Sequence, residues 1–128
     1  MKKFRVDRAS IFASNDIETR DVHVPEWGGE GAYVTVSSGS GEARDNYEAD
    51  IHVDVEVDGK KIKEIDRKRI RLALVRYATV DENGAPLFSE SDIEQLKKKN
   101  SKPINRIFAV AQELWGIGND EVKELEKN

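Results

Sequence analysis

A chain of 128 residues, 38% apolar and 36% charged, carries enough apolar material for one domain core beneath a heavily charged surface. Its net charge of −4 argues against a nucleic-acid partner, because phosphate contacts need clustered Lys and Arg. There is no cysteine, which excludes disulfides and thiolate metal sites. No apolar run follows the charged start Met1–Arg5 or reaches membrane-spanning length, so neither a signal peptide nor a membrane partner is expected.

Taken in chain order, Asp7 to Ala13 predicts a short helix that would bury Ile11 and Phe12. Val22 and Val24 alternate with Asp21 and His23 before Pro25. After the glycine-rich Trp27-Gly28-Gly29-Glu30-Gly31, Val34 and Val36 alternate with Tyr33, Thr35 and Ser37, which reads as a β-hairpin. Ser37 to Gly41 is a flexible joint ending at Ser40 as N-cap. A helix over Gly41–Asp50 follows. Ile51, Val53, Val55 and Val57 then alternate with polar residues, and Asp58-Gly59 supplies a two-residue turn into Lys60–Ile65, a second hairpin.

Asp66 is the predicted N-cap of a helix reaching about Thr79, with Ile70, Ala73, Leu74, Tyr77 and Ala78 on one apolar stripe. The loop Asp81–Phe88 leads to Ser89, which forms a capping box with Asp92 and opens a helix to about Lys99. Phe88 and Ile93 are set as a hydrophobic staple. Ser101 is the predicted cap of the next helix, with Pro103 in its first turn, a stripe of Ile104, Ile107, Phe108, Ala111 and Trp115, and Gly116 as its stop. A last short helix is predicted over Asp120–Lys127. The basic runs Arg67–Arg69 and Lys97–Lys99 read as solvated helix faces.

The predicted fold is α+β: one or two N-terminal β-hairpins packed on a C-terminal bundle of three to four helices, in a single domain spanning 1–128. The hairpin region covers about 20–37 and the helical region about 66–127.

Reaction chemistry is sparse. His52 in a strand would share a face with Asp50, Asp54 and Glu56, the one cluster in the chain that could hold a hard metal ion. A solvated polar strand face has the same spacing. Gly28-Gly29-Glu30-Gly31 has no following Lys and no helix start, so it is a turn and not a phosphate cradle. No catalytic motif stands out, and a non-enzyme with no cofactor is the expectation.

Two stretches in order carry a resemblance. The first is Val24-Pro25-Glu26-Trp27-Gly28-Gly29 with Tyr33-Val34 and Ala43-Arg44-Asp45-Asn46-Tyr47-Glu48. The second is Val80 to Ser89, Asp92-Ile93 and Ile104-Asn105-Arg106-Ile107-Phe108 to Leu114. Together they resemble the tail assembly chaperones of long-tailed bacteriophages and prophages. The resemblance implies a protein of the host bacterial cytoplasm, absent from the finished virion. It would bind the tape measure protein, help recruit the tail tube protein, and associate with itself. It also implies a continuous helix from Gly41 to about Glu56 and a loop over Asp58–Ile65, against the second hairpin that the local pattern favours. Phe108, Leu114, Trp115 and Ile117 are the candidate groove residues for the partner, on the premise that the C-terminal helix is loosely docked. A structural tail or head–tail connector protein is the alternative, and a metal-dependent enzyme built on Asp50, His52 and Asp54 the third reading.

Overall fold

The computed structural model describes residues 1–117. Alternation and turn chemistry set its first strand pair. Strand β1 (Thr19–His23) runs antiparallel to β2 (Tyr33–Ser37), with Val22 opposite Val34 and Arg20 opposite Val36. The connection is more than a glycine turn. Pro25 opens a single helical turn, α2 (Pro25–Gly28), where its missing N–H costs nothing. Gly29 and Gly31 then take φ of 94° and 89° to bring the chain back. Before this pair, α1 (Arg8–Ala13) forms where expected, capped by the Asp7 carboxylate accepting from the Ser10 N–H at 2.8 Å. It buries nothing, however. Ile11 and Phe12 are 53% and 72% exposed, correcting the expectation that they enter the core.

Ser40 caps α3 (Gly41–Asp50) by accepting from the Ala43 N–H at 3.1 Å. The helix ends at the buried Ile51, and the chain turns directly into β3 (His52–Val57) and β4 (Lys60–Ile65). Asp58 and Gly59, at φ 53° and 77°, make the tight turn between them. The long helix to Glu56 implied by the family resemblance is therefore not formed. Three valines at period two, followed by Asp-Gly, favour the strand, because β-branched side chains crowd a helix and fit a pleat.

The central helix α4 spans Ile70–Ala78, starting three residues later than predicted. Asp66 spends its hydrogen bonds on a turn instead: its carboxylate accepts from the Lys68 N–H and its carbonyl from the Arg69 N–H. Ile70, Ala73, Leu74 and Ala78 are buried as the stripe requires, and Tyr77 partly so. Val75 is also fully buried, because α4 is covered on two sides, by α3 and by the C-terminal helix. Thr79 leaves the helix and, with Val80, forms β5 (Thr79–Val80), a third strand pairing antiparallel with β2. The sheet order is β1-β2-β5, and nothing in the local pattern of two residues announces that last strand.

The Asp81–Phe88 loop doubles back, with Asp81 accepting from the Asn83 and Ala85 N–H groups. Ser89 and Asp92 form the predicted capping box, the Ser89 N–H donating to the Asp92 carboxylate at 2.8 Å. It opens a 3-10 turn and then α5 (Ile93–Leu96), which stops short of Lys99. Asn100, not Ser101, caps α6 (Ser101–Trp115), its side chain accepting from the Lys102 N–H. Pro103 lies in the first turn, and Gly116 ends the helix in the left-handed region at φ 70°. Ile104, Ile107, Ala111 and Trp115 fill the space between α4 and the sheet. Residues such as Leu74, Val75, Val36 and Ile107 are wholly buried, each worth about 1.5–3 kcal/mol. The helix predicted over Asp120–Lys127 lies outside the described residues.

Candidate partner-binding surfaces

The four candidate groove residues all come from the end of α6, and the core takes two of them. Trp115 is 8% exposed. Its Nε1–H donates to the Ser37 carbonyl at 2.7 Å, and its ring meets Tyr47 edge-on at 5.7 Å. The Arg44 guanidinium donates to the Trp115 carbonyl at 3.1 Å. A Cβ at Gly39 would stand 2.7 Å from Trp115 Cζ2, so a glycine is required at that point of the joint. Ile117, just past the helix, is 3% exposed, and its N–H donates to the Gln112 carbonyl. Phe108 and Leu114 are half-buried and pack against the core, with the Arg71 guanidinium 5.4 Å from the Phe108 ring centre. The premise of a loosely docked helix does not hold: α6 packs on α4, β1 and β2. Arg106 also ties it to the α2 turn, donating to the His23 carbonyl and the Glu26 carboxylate. Hydrogen bonds from Arg106 hold the Glu26 carboxyl below its ordinary pKa.

The free apolar surface is elsewhere. In the β3–β4 hairpin, Val55 stands directly opposite Ile62, Val53 opposite Glu64 and Val57 opposite Lys60, so these six share one face. Val57 is 47% and Ile62 42% exposed. The reverse face pairs Asp54 with Lys63 and Glu56 with Lys61. The hairpin meets α3 at its base, and its outer residues are exposed. The period-two pattern did contain this information. Its polar half has the spacing of a metal cluster, and its apolar half that of a surface for a partner.

That polar cluster is dispersed. Asp50 ends α3 and turns to the helical side, accepting from Arg69 at 2.5 Å and Arg76 at 3.5 Å. Glu90 accepts from the same two arginines, at 3.3 and 2.5 Å, closing a four-charge clamp between α3, α4 and the turn before α5. Burial works against the charge on Arg69, but Asp50 and Glu90 outweigh it and raise the Arg69 pKa. His52 Nδ1 lies 2.5 Å from the Glu48 carbonyl. Among the described residues, no three His, Cys, Asp or Glu side chains are placed to hold a metal ion. No described helix is long and apolar enough to cross a membrane.

The sequence model of the phage tail assembly chaperone family matches residues 8–128. The chain belongs to that family. Among solved structures it is similar to the bacteriophage HK97 tail assembly chaperone, at 25% identity and a TM-score of 0.50, covering 77% of this chain and 85% of that one. No curated protein matches it. Phe4 and Val6 precede the family match, on an N-terminal arm in which every residue up to Asp21 is exposed. Phe4, at 86%, and Phe12, at 72%, are among the most exposed apolar side chains of this family member.

Proposed function

We propose that this chaperone holds the tape measure protein in soluble form in the infected bacterial cytoplasm, helps recruit tail tube subunits, and departs before the virion is complete. It does so without catalysis. Tape measure chains present long apolar helix faces, which aggregate unless covered. The observation that carries the reading is the hairpin face of Val53, Val55, Val57 and Ile62 on a member of this family, with Val57 and Ile62 exposed and Val53 and Val55 half-buried. A two-stranded hairpin is marginally stable alone and gains from a partner laid across its apolar side. Its charged reverse face keeps the complex soluble. Displacement by the incoming tube calls for moderate affinity, and a face of four aliphatic side chains is suited to that. Phe108 and Leu114 are the members of the original α6 set that retain surface for a contact.

The experiment is co-expression with the tape measure protein encoded by the same phage, followed by affinity capture. Wild-type chain recovers the tape measure in the soluble fraction. The Val55→Asp, Ile62→Asp double variant leaves it in the pellet while the chaperone itself stays folded. Capture by the double variant equal to wild type, or a ring-like copy number of this chain in purified particles, overturns the reading.

A further inference from the structure

We infer that the N-terminal arm, Met1–Ala13, is a docking segment that inserts into a groove on a second copy of this chain. Three observations meet here. The first is that the arm is structured but unpacked. Helix α1 is capped by Asp7 at its start and by Ser14 at its end, where the Ser14 hydroxyl donates to the Ile11 carbonyl, yet Phe4, Val6, Ile11 and Phe12 are all exposed. Six helical residues are too few to persist in water without a surface to lie on.

The second is charge. Lys2, Lys3, Arg5 and Arg8 against Asp7 give the arm +3, which within a total of −4 leaves the rest of the chain at −7. The acidic remainder of a second copy is therefore complementary in charge to the arm. The third is a receptor. A groove of about 420 Å³ lies beside β5, lined by Ile17, Ala43, Tyr77, Val80 and Pro86 with Glu42 at its edge. Its lining is mixed, with Asn46 and Arg76 beside the apolar residues, and it is large enough for aromatic side chains. Ile17 stands at the root of the arm, anchored by Glu18, whose N–H donates to the Ser38 hydroxyl and whose carbonyl accepts from the Ser38 N–H.

Four residues separate Ile17 from Phe12, enough chain to fold back into the same molecule's groove. In the single chain the arm nevertheless lies away from it, with both phenylalanines in solvent. Exchange between copies brings the aromatic side chains of the arm to the apolar part of the groove and its basic residues to the acidic remainder of the partner copy, and leaves the core of each copy untouched.

The test uses the full chain with no tail protein present, so its outcome is independent of the tape measure reading. Light scattering and sedimentation over a dilution series are run on wild type, on Phe4→Ala with Phe12→Ala, and on Glu42→Lys. Trypsin cleavage at the arm's Lys and Arg residues is followed in parallel. Wild type is expected to associate as concentration rises, with the arm protected only in the associated form. The double alanine variant is expected to weaken association by about a hundredfold, with Glu42→Lys weakening it less. All substituted side chains are exposed, and an unchanged melting temperature of the dilute protein confirms an intact fold. A wild type that stays monomeric at its highest soluble concentration, variants that associate as wild type does, or protection independent of concentration each overturn the proposal.

Discussion

The α4–α6 core and the β3–β4 hairpin are made from the same aliphatic alphabet and use it in opposite ways. In the core, Leu74, Val75, Ile107 and Ala111 are wholly buried between helices and sheet. In the hairpin, Val57 and Ile62 remain nearly half exposed on a sheet that has two strands among the described residues. Their difference lies in what the chain provides opposite each face. The core stripe of α4 meets α3 and α6, whereas the outer half of the hairpin's stripe, Val57 and Ile62, meets solvent. Stability is thus concentrated in one region, leaving the other for a partner. Substitutions of similar size should separate the two readouts.

The largest expected effect on folding comes from Trp115→Ala. It removes a buried ring, its bond to the Ser37 carbonyl and its edge contact with Tyr47, and should cost about 3–5 kcal/mol in chemical denaturation. Gly39→Ala attacks the same joint from the other side. It places a Cβ against the Trp115 ring at φ 75°, with an expected loss of about 2–3 kcal/mol by the same measurement. Asp50→Asn should cost less, about 1–2 kcal/mol, because Arg69 and Glu90 keep access to water and screen the clamp. If Asp50→Asn proves as costly as Trp115→Ala, the charge clamp belongs to the core and the contrast between regions must be redrawn.

Alkaline titration sharpens the same boundary. Burial pushes the Tyr47 hydroxyl up to about 12 from its ordinary 10. The folded state therefore holds this proton more tightly than the unfolded chain does. The contribution is fully present below pH 10 and is lost as pH rises from 10 to 12. Tyr47→Phe should flatten that alkaline fall in denaturation midpoints. At neutral pH it should be neutral or slightly stabilising, since the hydroxyl has no hydrogen-bond partner in the described structure. The smallest expected effect on folding belongs to Ile62→Asp, within about 0.5 kcal/mol, together with a clear loss of tape measure capture. A large drop in melting temperature for that variant would show that the hairpin face is part of the core after all.

Local chemistry alone determined much of this molecule. Asp58-Gly59, Ser40, the Ser89–Asp92 box, Gly116 and the α6 stripe act over a few residues, through backbone angles and caps that need no distant partner, and each is found where the sequence places it. The second hairpin was legible for the same reason, against the longer helix that kinship implied. Tertiary structure alone decided four things. Thr79 and Val80 become a strand because β2 offers an open edge to them. Trp115 and Ile117 join the core, and Asp50 joins two arginines from α4 and its approach in place of a strand-face cluster. Ile11 and Phe12 stay outside because none of the described residues packs on their helix. Periodicity tells which side of an element is apolar, but only the placement of other elements tells whether that side is covered. That distinction, between apolar and uncovered, separates the folding residues of this chaperone from those it offers to partners.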